Sequence, residues 1–402
     1  MSYLNNKIHQ MISFLKSIKN KSYIFSRFIS VSIKPLMLFV SLALGYKEFG
    51  TVIAMVFLVS SVNMMLCSVP IFREFFINFD NKSTLKKKYF KNKYKSQIVI
   101  LFLISIILII PINQFFENSI EIFICSLLIF SVDKIYDEIQ RVLILKKDFN
   151  AWSTITNFKN IILFIFLLNP IININIMYLG VTYFLINLFK HYAYINLSFN
   201  LKIKKEIKRF SFSIWKNKKI HIMNYFLFFY TIGDKVVIGK NFKEDLTEYI
   251  FLSYILSVPL LFILFFYISK YRAEFVNNLI SFKDVIFSKK FNYLLISTFF
   301  LASVIVLFYY NLSFSKFSLA SIILLLLIHF IKAYSLILDE IVYWKSYYKD
   351  FLFFEFLFFI SFAIVILLTT YLNLTLDIFL LILLILFFMK FIFKIIIFIN
   401  KS

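Results

Sequence analysis

The sequence predicts an all-α polytopic membrane protein, with about 12 transmembrane helices arranged as two pseudo-symmetric six-helix bundles. Three observations carry that prediction. Hydrophobic residues make up 61% of the 402 and charged ones 16%, which leaves too few polar side chains to clothe a water-soluble protein of this size. A series of apolar runs has lengths near the roughly 20 residues that a helix needs to cross hydrocarbon. The chain also repeats itself: Asp137-Glu138-Ile139, followed after seven residues by Lys147-Asp148-Phe149, recurs 202 positions later as Asp339-Glu340-Ile341 and Lys349-Asp350-Phe351. Both copies sit where an apolar run gives way to a charged segment.

Before the first run, Leu4, Ile8, Ile12, Leu15 and Ile18 recur at near-helical spacing among Lys7, Lys16, Lys19 and Lys21. This pattern predicts an amphipathic helix on the membrane surface up to Arg27. Its long basic region, with no small-residue cleavage site after the first apolar run, argues against a cleaved signal peptide. The spans of the first half then read Phe28 to Gly45, Gly50 to Phe72, Gln97 to Ile112, Ile120 to Ile135, Trp152 to Leu168 and Ile172 to Phe189. Those of the second half read Ile220 to Ile238, Tyr249 to Ser269, Tyr293 to Tyr310, Phe317 to Leu338, Phe351 to Leu372 and Leu376 to Phe393. None alternates as a barrel strand does, and helices satisfy their own backbone groups in lipid. Pro35 predicts a bend in the first span, since a mid-helix proline removes a backbone hydrogen bond. Cys67 and Cys125 fall in different spans without paired spacing and make no disulfide framework.

Loop charge sets the expected orientation. Of the 44 lysines and arginines, 34 fall before the first span, in every second loop or at the C-terminus, against four on the opposite side, so both termini are expected in the cytoplasm. The same runs, such as Lys86-Lys87-Lys88, account for the net charge of +23 as membrane topology and contact with lipid head groups; no nucleic acid is expected as a partner.

A repeat offset of 202 carries the fourth span onto the tenth, an even number of crossings, so the halves share one orientation and are related by an axis along the membrane normal. Arg73-Glu74-Phe75 and Arg272-Ala273-Glu274-Phe275 echo each other in the same sense. The expected organisation is an amphipathic N-terminus over 1–27, one bundle over 28–189, a basic cytoplasmic connector over 190–219 and a second bundle over 220–402. Internal duplication in a membrane protein points to a transporter.

Leu44-Gly45-Tyr46-Lys47-Glu48-Phe49-Gly50 is similar to the Leu-Gly-x-x-x-Phe-Gly turn between the first two helices of the polysaccharide repeat-unit flippases (Wzx-type) of the multidrug/oligosaccharidyl-lipid/polysaccharide exporter superfamily. Gly233-Asp234-Lys235-Val236-Val237-Ile238-Gly239 with Thr247-Glu248-Tyr249 resembles that family's seventh helix and the start of its eighth. Asp137-Glu138 with Arg141 and Lys146-Lys147 resembles the charged end of its fourth. Leu42 departs from the pattern, standing where family members often carry an arginine. The resemblance implies two bundles around a central cavity that opens alternately to either side of the bacterial inner membrane. The cargo it implies is an undecaprenyl-pyrophosphate-linked oligosaccharide, moved outward. Membrane lipids, a polysaccharide polymerase and a chain-length regulator are the further partners implied.

Charges inside spans cost roughly 2.5 to 3.5 kcal/mol on insertion scales and face a cavity or a partner. Lys34, Lys159 and Lys332, with Arg27 at the start of the first span, are the candidates for binding the pyrophosphate; pairing with a buried carboxylate, or snorkelling for Lys332, is the structural alternative. Asp234 and Lys235 are candidates for an external gate or coupling-ion site, or for an interface anchor. Asp133, Lys134, Asp137, Glu138 and Arg141 stack at four-residue spacing and read as a solvated helix end. The acidic pairs Asp137-Glu138 and Asp339-Glu340 are candidates for closing the cytoplasmic mouth. Glu355 is a candidate carrier of a coupling ion, and His329 reads as a hydrogen-bonded core residue.

No enzyme constellation emerges: the chain has no His-Glu-x-x-His motif and no Gly-rich phosphate loop, and no cofactor or metal is expected. A polysaccharide polymerase would call for a long external loop bearing catalytic Arg and His, whereas every external loop here is short. A multidrug antiporter of the same superfamily would favour an acidic cavity over these lysines.

Overall fold

The computed structural model describes residues 26, 29, 32–66, 107, 110, 111, 113–145, 149–191, 218–263, 289–311, 317–345 and 348–401. The amphipathic N-terminus, the segments around 73–75 and 272–275, most of the third span and most of the connector lie outside them. Every regular element among the described residues is helical. In chain order these are α1 (Ser32–Ala43), α2 (Lys47–Leu66), α3 (Ile120–Leu145), α4 (Phe149–Leu163), α5 (Ile176–His191), α6 (Lys218–Asn241), α7 (Leu246–Ile263), α8 (Lys289–Asn311), α9 (Leu319–Lys345), α10 (Tyr348–Tyr371) and α11 (Leu376–Lys401). They overlap the first two expected apolar runs and the fourth to twelfth. Five stretches within them are long and apolar enough to cross a membrane: Lys47–Met64, Asn150–Ile172, Asn292–Asn311, Phe351–Tyr371 and Leu376–Ile397. Ser32–Ala43, Ile176–Lys190 and Leu319–Ser335 are shorter apolar helices.

Local chemistry explains the breaks. α1 ends in a Schellman cap: Gly45 takes the left-handed conformation (φ +77°), its N–H donates to the Leu42 carbonyl at 3.1 Å, and the Tyr46 N–H donates to that of Ser41 at 2.9 Å. α4 tightens into a 3-10 turn over Phe164–Leu168 and a last turn over Asn169–Ile172, where Pro170 occupies the first helical positions. Left-handed Asn173 (φ 52°) follows that turn, and left-handed Asn373 (φ 46°) stands between α10 and α11. Each lies three residues before the next helix, at Ile176 and Leu376. The local sequences, Asn173-Ile174-Asn175-Ile176 and Asn373-Leu374-Thr375-Leu376, share one alternation of polar and aliphatic residues. This echo of the repeat went unread in the sequence.

The chain divides into two compact units, one of Met1–Met37 with Ser119–Phe199 and the other of Leu38–Asn118 with Asn200–Ser402. In the first unit α3 packs chiefly along α5, with α4 against both. Close approach is possible because Gly180 of α5 lacks a side chain: a Cβ there would lie 3.0 Å from Cys125 Sγ and 3.1 Å from its Cα. Trp152, Phe166, Tyr183, Phe130 and Tyr136 fill the core.

In the second unit α9 packs chiefly along α11 and α6 along α10. α2 is its interior helix, with 61% of its apolar window buried against 22% to 28% for the other four long apolar helices. The grouping by contact therefore differs from the grouping by repeat, which placed α2 within 28–189. The reason is packing of α2 on α6 and α7 through small residues. A Cβ on Gly50 would meet Ser41 Oγ at 2.9 Å and Thr247 Cγ2 at 3.0 Å, and one on Gly239 would meet Leu58 Cδ2 at 2.6 Å. On α8, α10 and α11, exposed residues such as Phe300, Phe308, Phe353, Ile364, Ile385 and Phe388 form apolar surface suited to lipid.

Candidate functional site

Three ionic nodes lie among these helices; in two of them a carboxylate meets two lysines, and in the other it meets one. In the first unit, α3 supplies Asp133. Its Oδ1 accepts from Lys159 of α4 at 2.7 Å and its Oδ2 from Lys34 of α1 at 3.4 Å. Lys159 also stands over the Tyr136 ring at 5.3 Å. Tyr136 donates to Asn187 Oδ1 of α5 at 3.0 Å, and Asn187 donates to the Tyr183 carbonyl at 2.8 Å. The node is not sealed, since the side chains of Lys34 and Lys159 are 23% and 15% exposed. Two candidate lysines thus converge on one anion. The solvated end expected from Asp133 onward does not include Asp133 or Lys134, which are held inside the unit by helix packing.

A polar stripe on α4 lies beside this node. Asn157 donates to Ser26 Oγ at 3.0 Å, while Ser153 Oγ, Asn160 Nδ2 and Ser126 Oγ of α3 are buried without a hydrogen-bond partner. Buried polar atoms left unpaired call for a water or ligand.

In the second unit, Asp234 of α6 is fully buried and pairs with Lys332 of α9, Nζ to Oδ2, at 2.9 Å. Lys332 also stands over the Phe387 ring at 4.7 Å. The same Oδ2 accepts from the Tyr249 hydroxyl of α7 at 2.7 Å, while Oδ1 has no hydrogen-bond partner. Lys235 points elsewhere, over the Tyr254 ring at 5.5 Å, as adjacent positions on a helix require. Neither the interface anchor weighed for Asp234 nor snorkelling for Lys332 describes this pair. α9 starts at Leu319 and its side chains lean back toward that end, which carries Lys332 to Asp234. His329 Nε2 lies 3.3 Å from Ser253 Oγ of α7.

Glu355 of α10 forms the third node. Its Oε2 accepts from Lys390 at 2.6 Å, and its Oε1 lies 3.4 Å from Lys394, which also donates to Ser335 Oγ of α9 at 3.0 Å. Sequence reasoning placed Lys394 among the cytoplasmic charges beyond Phe393. It is buried instead, because α11 continues to Lys401. Lys390 and Lys394 are four apart on one helix face, a spacing that could have marked them as partners for one carboxylate.

Arg27, and the side chains of Asp137, Glu138, Asp339 and Glu340, lie outside what the structure describes; the backbones of the two acidic pairs are helical, in α3 and α9. Outside the spans, Lys240 donates to Glu117 at 2.5 Å and holds its carboxyl below the usual glutamate range. Comparison with protein-family models, curated proteins and solved structures found no match for this chain.

Proposed function

We propose that this chain is a flippase that moves undecaprenyl-pyrophosphate-linked oligosaccharide from the cytoplasmic to the outer leaflet of a bacterial inner membrane by alternating access. The observation that carries the reading is the node at Asp133. Lys34 and Lys159, from different helices, hold the two oxygens of one carboxylate and remain partly exposed. Two ammonium groups set to bridge one anion are suited to a pyrophosphate, for which lysines serve as flexible point charges. Asp133 then keeps the pair charge-compensated between cargoes, which lowers the cost of a lysine in each of two apolar helices. The unpaired Ser126, Ser153 and Asn160 groups are suited to hydroxyl-rich cargo.

Duplication supports a transporter with two related halves. The principal helix pairs, α3 with α5 and α9 with α11, are the fourth with the sixth span and the tenth with the twelfth. On this reading Lys332, Asp234 and Lys235 serve coupling rather than cargo binding, Arg27 adds positive charge at the cytoplasmic entrance, and the acidic pairs Asp137-Glu138 and Asp339-Glu340 close that entrance. Lysines that outnumber the carboxylate at two of the three nodes disfavour cationic drugs as cargo.

Lys34→Ala combined with Lys159→Ala should trap lipid-linked repeat units in the cytoplasmic leaflet and abolish surface glycan, read by glycan staining and leaflet-specific labelling. Normal surface glycan in that double variant would overturn the proposal.

A further inference from the structure

We infer that the ion pairs Lys34–Asp133 and Asp234–Lys332 are one interhelical tie written twice with opposite polarity, and that the inversion directs the first helix of each repeat to the fourth helix of its own repeat. The inference rests on the reading of the chain as two related halves and needs nothing of the cargo.

Position carries the equivalence. Lys34 of α1 and Asp234 of α6, on the expected first and seventh spans, are 200 residues apart. Asp133 of α3 and Lys332 of α9, on the fourth and tenth, are 199 apart, and each stands thirteen residues after the start of its helix, at Ile120 and Leu319. Both separations fall within a turn of the 202 at which the Asp-Glu-Ile motif recurs, which keeps the side chains near one helix face. The contacts then match in kind: Nζ meets a carboxylate Oδ2 at 3.4 Å between α1 and α3, and at 2.9 Å between α6 and α9. The signs are reversed. α1 brings the lysine and α3 the carboxylate, whereas α6 brings the carboxylate and α9 the lysine. The charges of the other nodes do not recur in this way, since Ser361 and Ser153 stand 202 residues from Lys159 and Glu355.

Repeated helices pose a pairing problem. In lipid, apolar surface gives a helix little reason to prefer one neighbour over another, so close packing and polar contacts decide. Helices that descend from one sequence offer similar packing, and α1 could settle on α9 while α6 settles on α3. With both ties of one polarity, that exchanged arrangement would satisfy the charges as well as the native one. With inverted polarity it sets Lys34 against Lys332 and Asp133 against Asp234, like charges inside apolar helices. The inversion therefore penalises the wrong partner as well as rewarding the right one.

The test uses the full chain in membranes, with Cys67 and Cys125 replaced by alanine. Native pairing in the first unit is read from an oxidative cross-link between Ser26→Cys and Asn157→Cys, at positions whose side chains meet at 3.0 Å. Asp234→Lys with Lys332→Asp keeps a second pair but gives both ties one polarity. The cross-link should then fall to about half its yield in the background chain, the share left when two pairings are equally favourable. Asp234→Leu with Lys332→Met removes the second pair and its charges, and should leave the yield unchanged, because Lys34 then has no rival to Asp133. An undiminished cross-link in the first variant, or an equal loss in the second, overturns the inference. If the first variant does not accumulate, adding Lys34→Asp, Asp133→Lys and Lys159→Met restores opposite polarity and should recover it; no recovery overturns the inference. Sites without shared partners otherwise act additively, so such recovery would mark a coupling of polarity. The readout is assembly, so failure here leaves the flippase reading standing, whereas normal glycan in the Lys34/Lys159 double variant would sink that reading and spare this one.

Discussion

Glu355 shows how little freedom a buried carboxylate has once two ammonium groups close on it from one helix face. Replacing it with glutamine keeps the shape and leaves Lys390 and Lys394 without their carboxylate, a change that typically costs about 3 to 5 kcal/mol when one partner of a buried pair is removed. Glu355→Gln should therefore lower the thermal unfolding midpoint in detergent sharply. Glu355→Leu with Lys390→Met and Lys394→Met should recover most of the loss, since an apolar replacement of the whole cluster leaves no charge stranded. An unfolding midpoint unchanged in Glu355→Gln would show the node to be energetically idle. Single charges within apolar runs were legible in the sequence as anomalies, but their partners were not. Asp133 looked like the start of a solvated end because Asp137 and Glu138 follow it, and only packing between α3 and α4 reveals that Lys159 reaches back to it.

Helices were legible as apolar runs near the roughly 20 residues that crossing hydrocarbon takes, and their ends because glycine, proline and asparagine break them. What apolar runs understate is length. α3 has 26 residues and α9 has 27, roughly 40 Å each at 1.5 Å per residue, so both continue through the repeated acidic motif beyond hydrocarbon thickness. Helix pairing depends on small residues whose neighbours cannot be read from the chain. Gly180→Ala should destabilise the protein by about 1 to 3 kcal/mol, the usual cost of overpacking, measured as a lower unfolding midpoint. Cys125→Ala should restore only part of it, because the Cys125 Cα, 3.1 Å from the added carbon, belongs to the backbone. Full stability in Gly180→Ala would mean that α3 and α5 can separate freely.

At the scale of the whole molecule, α2 joins the compact unit of the C-terminal helices, and the contact that ties it there is small and testable. Thr247 Oγ1 of α7 lies 3.4 Å from Thr51 Oγ1 of α2. Alternating access would require this seam to part. Thr51→Cys with Thr247→Cys, in a chain with Cys67 and Cys125 replaced by alanine, should form a disulfide that stops surface glycan export and should regain export on reduction. Export that continues with the bridge fully formed would rule out movement of α2 away from α7.

By itself the sequence determined that this is a helical chain rich in long apolar runs, that it carries the Asp-Glu-Ile and Lys-Asp-Phe motif twice at an offset of 202, and that a few lysines and carboxylates stand inside apolar runs. Those properties are local: length, periodicity and recurrence are written along the chain. The tertiary structure alone decided which charges meet. It brought Lys34 and Lys159 to Asp133, Lys332 to Asp234 and both Lys390 and Lys394 to Glu355, because in a low-dielectric interior an ammonium must find an anion, and which one it finds depends on how the helices cross.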